Sequence, residues 1–217
     1  MTPGSTRRAM AIAAAVLAVV IAASAGLLVG DRMASSTPGV DSVDAGFARD
    51  MQIHHAQAVE MSLIVRDRTL DPAVRTLAYD ILASQQHQRG QMAAWLTEWS
   101  LPQTSTDPVM QWMRGDMGDM AMGDMAMGDT SPGGAVMPGM ATAADVDGLR
   151  ELSGVEAEIR YLELMTVHHR AGVEMAQYAA DHAAEQQVVD LAQAMVSAQD
   201  SEIALMNDML AARDSEA

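Results

Sequence analysis

The 217-residue chain contains no cysteine and no lysine. Without cysteine there can be no disulfide framework, no thiolate zinc site and no thiol nucleophile. All 13 basic residues are arginines, set against 29 acidic residues for a formal charge of −16. Such a surface repels phosphate backbones and excludes nucleic acid as a partner. Aromatic residues make up only 3%, too few for β-sandwiches and barrels, whose strands favour aromatic and β-branched side chains. Alanine is abundant instead, along with 20 methionines. The composition predicts an all-α chain.

Arg7 and Arg8 precede an uncharged run from Ala9 to Gly30. As a helix rising about 1.5 Å per residue, this run would span roughly 33 Å, the thickness of a hydrocarbon core. A signal peptide cleaved at Ala23-Ser24-Ala25 is one reading of residues 1–30. The run continues through Leu27, Leu28 and Val29, which favours an uncleaved, membrane-spanning signal anchor with the upstream arginines held in the cytoplasm. Either reading puts the rest of the chain outside the cytoplasm, at the cell membrane or secreted, where a lack of cysteine is no handicap. Residues 31–41 form a linker.

The chain then repeats itself. The segment Asp50-Met-Gln-Ile-His-His-Ala-Gln-Ala-Val-Glu-Met61 returns as Leu164-Met-Thr-Val-His-His-Arg-Ala-Gly-Val-Glu-Met175, an offset of 114. The register holds without a gap from residue 50 to residue 96, with 13 of those 47 positions identical. Each copy reads as a helical hairpin, over residues 42–99 and 145–213, with a connector over 100–144. Ser42 to Thr69 predicts one helix. Asp71-Pro72 opens the next, and Leu101-Pro102 follows its end. In the second copy Ser153-Gly-Val-Glu156 has the form of a capping box, and a turn is expected between His182 and Gln186. Four such helices predict an antiparallel four-helix bundle.

On a helical projection with Met51 at zero, His55 falls near +40°, His54 near −60° and Met61 near −80°, all on the core-facing side at about 100° per residue. Glu60 falls near 180°, on the opposite face, which marks it as a surface or salt-bridge residue. The second helices carry apolar stripes interrupted by Gln85 and Gln88 in one copy and by Gln199 and Glu202 in the other. His87 lies off the stripe and His182 in a turn. Buried polar groups cost a few kcal/mol each unless partnered, so the eight require mutual hydrogen bonds, ordered water or a metal. The metal reading takes His54, His55, His168 and His169 as ligands, flanked by Met51, Met61, Met165 and Met175. Because imidazole coordinates only when neutral, affinity at this layer is expected to fall below about pH 6.5, or somewhat lower with burial. The competing reading is a hydrogen-bonded polar layer that fixes bundle register.

Nine methionines lie between Met110 and Met140. Met117, Met120, Met122, Met125 and Met127 sit at the centre, among glycines and aspartates. Gly, Asp and Pro oppose a packed helix there, so the connector methionines are not expected to fill a core. Thioethers are soft, neutral ligands that select Cu(I) and, by the same softness, Ag(I). A drifted linker or an oxidant sink through Met sulfoxide would use the same composition.

The two His-His segments, with Gln85-x-x-Gln-x-x-x-Met92-x-x-Trp-Leu96, resemble the bacterial domain-of-unknown-function 305 family over about residues 41–212. The resemblance implies a ferritin-like bundle, secreted or anchored in the envelope, with some members implicated in copper binding and resistance. The matched positions are Met51, His54, His55 and Met61, then Met165, His168, His169 and Met175. Gln88 stands where relatives often carry Glu, which argues against a carboxylate-bridged di-iron site. The expected function is therefore extracytoplasmic binding of copper or silver for sequestration, buffering or resistance, with metal ions and the membrane as partners and a homo-oligomer left open. One alternative is a metal-free structural or interaction bundle tethered to the membrane. Another is a ferritin-like metalloenzyme, which would need Glu-x-x-His motifs that the sequence lacks.

Overall fold

The computed structural model describes residues 37–113 and 136–214. The N-terminal run lies outside them, as do Met117, Met120, Met122, Met125 and Met127. Among the described residues there are five α-helices and no strand, and none of these helices is long and apolar enough to cross a membrane.

Helix α1 runs Val43–Arg68, with Ser42 accepting the Ala45 amide at its N-terminus. After a three-residue turn, α2 spans Pro72–Glu98. Asp71 accepts the amides of Ala73 and Val74 (2.8 and 3.0 Å), and Pro72 occupies the first turn, where its missing N–H costs nothing. A single 3₁₀ turn follows at Gln111–Met113. Helix α3 covers Ala143–Glu151, α4 covers Gly154–His182 and α5 covers Gln186–Asp214. The helix ends of both hairpins fall where the sequence puts them, with one addition and one correction. The addition is α3, a short helix across the start of the range given to the second repeat, ahead of its two long helices. The correction concerns the capping box: Ser153 precedes α4 but makes no side-chain cap. The reciprocal box lies instead at the start of α3, between Thr142 and Asp145.

The two hairpins pack through α1 against α4. His54 meets His168 and Ser62 meets Tyr161, so residue numbers rise on one helix as they fall on the other and the pair is antiparallel. This pseudo-twofold arrangement sends Met51 and Met175 to one end of the core and Met61 and Met165 to the other. The first end also buries Phe47, Met92, Leu96 and Met195. The second holds Val65, Ile81, Leu149, Tyr161 and Leu162. Each fully buried side chain of this size contributes about 1.5–3 kcal/mol, so both ends are substantial cores.

Polar contacts from outside each hairpin lock the ends. The Asp44 carboxylate on α1 accepts the amides of Ala184 and Glu185, holding the turn that leads into α5 of the other repeat. At the far end Arg213 donates to Glu158 and Asp71, and Thr69 donates to the same Glu158. Glu60 bridges to Arg150 of α3, as its outward position suggested.

The connector departs from expectation. Met113 and Met137 are buried in the first core, and Met110 and Met140 pack against it. They are core filler after all. Asp50 explains how a Gly- and Asp-rich segment can be held there: its carboxylate accepts the Met110 amide (2.7 Å) and the Trp112 indole N–H (2.8 Å). The chain just before α3 is fixed by Gln57, which pairs with both the N–H and C=O of Ala141. Gly139 allows the close approach. Its φ is 75°, and a Cβ there would come within 2.3 Å of the Ala171 Cβ.

Candidate metal centre

Between the two apolar cores lies a layer of four fully buried imidazoles, His54, His55, His168 and His169. Adjacent positions on α1 and α4 supply each pair, and the antiparallel packing brings the pairs together. The His54 and His168 rings lie with centroids 3.7 Å apart and their planes tilted by 30°. His55 and His169 lie to either side, about one ring further out, at 6.3 and 6.1 Å from their helix neighbours.

The hydrogen bonds fix the tautomers. His55 Nε2–H donates to Gln88 Oε1 and His169 Nε2–H donates to a Glu202 carboxylate oxygen, each at 2.7 Å. His168 Nε2–H donates to the His54 carbonyl at 3.0 Å. In a neutral ring bearing its proton on Nε2, Nδ1 holds a lone pair. The Nδ1 atoms of His55, His168 and His169 all lack a partner, as do both ring nitrogens of His54. Gln85 and Gln199, also buried, leave their Oε1 atoms unpaired. A ring N–H tied to a carboxylate, amide or carbonyl while the other nitrogen stays free is the arrangement that orients histidines toward metals.

Burial dominates the electrostatics of this layer. It pushes His55 down to about 3 from the usual 6.5. His54 and His168 are also driven well below that value by burial, and the neighbouring imidazoles push the same way. The expected loss of neutral imidazole just below pH 6.5 therefore moves to much lower pH for these three rings. They stay neutral, and competent as ligands, through mildly acidic conditions.

The structure brings the four histidines together and places the four matched methionines above and below them rather than in their plane. Met51 and Met175 lie in one core and Met61 and Met165 in the other, all buried. Among the described residues no group of three His, Asp or Glu side chains is arranged to hold an ion as it stands. Sequence reasoning found the Gln and Glu partners of the histidines. It missed Asp50, Asp44 and the Thr69–Glu158–Arg213 cluster, whose partners are distant in sequence and leave no local pattern.

The family model described as Domain of unknown function (DUF305) matches residues 44–210. No curated protein matches the chain. Among solved structures, a DUF305 protein of Streptomyces coelicolor, thought to be secreted, is 49% identical with a TM-score of 0.70, covering 81% of this chain and 96% of its own. A DUF305 fragment from Deinococcus radiodurans is 30% identical with a TM-score of 0.60, covering 78% and 95%. CopM in its Cu(I)-bound form shares the fold at 18% identity and a TM-score of 0.56, covering 76% and 94%. CopM also has Cu(II)-bound and Ag-bound structures.

Proposed function

The chain belongs to the DUF305 family, and from that premise we propose that it is an extracytoplasmic protein that binds copper or silver for sequestration, buffering or resistance. The observation that carries this reading is the layer of four buried imidazoles, three of them with an Nε2–H anchored and an Nδ1 lone pair unpartnered. Leaving such groups unpaired costs about 1–3 kcal/mol each, a cost that a bound soft ion would remove. The donor chemistry fits: neutral imidazoles and nearby thioethers prefer Cu(I) and Ag(I) to hard cations. The copper- and silver-bound forms of CopM, a distant structural neighbour, support the metal class. The likeness to a DUF305 protein thought to be secreted supports the compartment.

In this reading the two hairpins are the halves of an antiparallel four-helix, ferritin-like bundle, held to the membrane by the N-terminal run if that run is an uncleaved anchor. The metal is cargo, and the residues assign no enzymatic step. His54, His55, His168 and His169 would hold it, with Met51, Met61, Met165 and Met175 as thioethers next to the layer. Met117, Met120, Met122, Met125 and Met127 would add soft ligands from the connector.

A second reading draws on the hydrogen bonds from His55 to Gln88 and from His169 to Glu202 and on the absence of a ready three-residue cluster among the described residues. Here the layer fixes the register of the two hairpins and binds nothing. Metal analysis of residues 35–217, purified and then exposed to Cu(I), separates the two. Retained stoichiometric copper supports the proposal. No bound or titratable copper leaves the register-fixing bundle, and stoichiometric iron would instead favour a ferritin-like enzyme.

A further inference from the structure

The pseudo-twofold axis gives each group of the histidine layer an equivalent in the other repeat, and most of them match. His55 with Gln88 answers His169 with Glu202, and Gln85 answers Gln199. His54 and His168 break the symmetry. His168 is tethered through its Nε2–H to the His54 carbonyl, whereas His54 makes no return bond and leaves both ring nitrogens unpartnered. A second break lies beside it. Position 58 of α1 is a buried alanine, and its equivalent on α4 is Gly172. A Cβ on Gly172 would stand 2.4 Å from Gln199 Oε1 and 3.1 Å from His54 Cε1, so both groups use the room left by the missing methyl.

A neutral imidazole carries one N–H and one lone pair. His54 therefore holds a buried donor without an acceptor, while Gln199 Oε1 beside it is a buried acceptor without a donor. Such a mismatch is rare in a protein interior, because each unmade bond carries its full desolvation cost. Turning the His54 ring toward Gln199 would pair the two, in the way His55 is paired with Gln88 and His169 with Glu202. The same turn would draw His54 away from His168, whose ring centroid lies 3.7 Å from its own, and open the interior of the layer. The resting arrangement calls for such a step, since among the described residues no three of these side chains are placed to hold an ion. The other three rings are anchored through Nε2–H. His54 alone has no side-chain bond to break.

We infer that His54 is the moving ligand of the layer, that it turns onto Gln199 as the ion enters, and that Gly172 is the positioning residue that leaves room for the turn. The inference rests on the proposal that the layer binds metal, and adds to it the residues that convert a closed layer into a site. Gln199 acts through His54 by accepting its N–H and aiming its other nitrogen inward, not by touching the ion. The equivalent Gln85 has no such part, because His168 already donates its Nε2–H to the His54 carbonyl.

Two measurements on the full chain test this. In the metal-free protein, long-range proton–nitrogen NMR correlations of the imidazoles read which nitrogen carries the proton. His55, His168 and His169 are expected as single Nε2–H tautomers and His54 as a mixture of both; a His54 locked in one tautomer like the others would overturn the idea of a free ring. Cu(I) competition against a chromophoric chelator then compares the wild type with Gln199→Leu, Gly172→Ala and Gln85→Leu. Gln199→Leu removes the acceptor and is expected to lower affinity by roughly 10–100-fold. Gly172→Ala should lower it in the same direction while keeping full helicity, because alanine is the better helix former and its Cβ meets the flexible end of a glutamine. Gln85→Leu should bind as the wild type does. Wild-type affinity in both Gln199→Leu and Gly172→Ala, or equal losses in the two glutamine variants, would overturn the inference and leave metal binding by the layer standing. A wild-type chain that takes up no Cu(I) would overturn the functional proposal and this inference with it.

Discussion

Lowering the pH from 6 to 5 should strip stability from the metal-free protein through its buried imidazoles. In the unfolded chain each ring titrates near 6.5, whereas in the folded chain His55 is held down to about 3 and His54 and His168 well below 6.5. A depressed histidine contributes stability that is fully present above the unfolded value. That stability is lost as the pH falls toward the folded value, because the unfolded state takes up protons that the native state refuses. Between pH 6 and pH 5 the loss is about 1 kcal/mol for His55, and His54 and His168 add to it in the same direction. Against a typical total of about 5–15 kcal/mol this is large. Asp50 opposes it weakly, since burial raises its carboxyl and the native state binds that proton earlier. Urea unfolding followed by far-UV circular dichroism at pH 7, 6 and 5, with a chelator present, measures the loss. His55→Gln should cut it by about 1 kcal/mol. An unchanged unfolding free energy between pH 7 and pH 5 would mean that the rings are not sequestered as described, and the electrostatic account of the layer would fail.

Three further outcomes follow from the packing. Asp44→Ala removes the hydrogen bonds that α1 gives the turn before α5 at Ala184 and Glu185 and should cost about 1–3 kcal/mol in urea unfolding; no loss would show that this turn needs no support from the other repeat. Gly46→Ala should destabilise although alanine ordinarily gains up to about 1 kcal/mol in a helix, because the new Cβ would fall 2.4 Å from the Trp112 ring; a blue or red shift of tryptophan emission would report the displaced indole, and a stabilised variant with unchanged emission would refute the contact. Met113→Ala and Met137→Ala should each cost about 2–5 kcal/mol as buried methionines; variants as stable as the wild type would contradict their place in the core.

The hairpins were readable because their signals are local and redundant. Apolar residues recur at helical spacing, Ser42 and Asp71-Pro72 mark helix starts, and the duplication repeats the pattern. The histidine layer was readable for the same reason: two His-His pairs on core-facing stripes must meet if the hairpins pack together. Its protonation behaviour was less so, since the depth of burial depends on the α1–α4 crossing. Ser153 and Thr142 carry similar capping patterns, and only the tertiary path of the chain decides which one closes a box. The connector misled because its composition argues against helix, and composition says nothing about individual side chains. Met113 and Met137 are buried although neither lies on a long helix of the bundle, with Asp50 and Gln57 of α1 holding the chain around them from a distance in sequence.

Competition titration of the purified protein with Cu(I) against a chromophoric chelator, comparing wild type with the fourfold variant His54→Ala, His55→Ala, His168→Ala and His169→Ala, tests metal binding at the imidazole layer most directly. The account expects the wild type to withdraw copper from the chelator and the variant, shown by circular dichroism to remain helical, to lose at least one of those equivalents. Equal copper uptake by the two proteins would contradict the assignment of the layer as a metal centre.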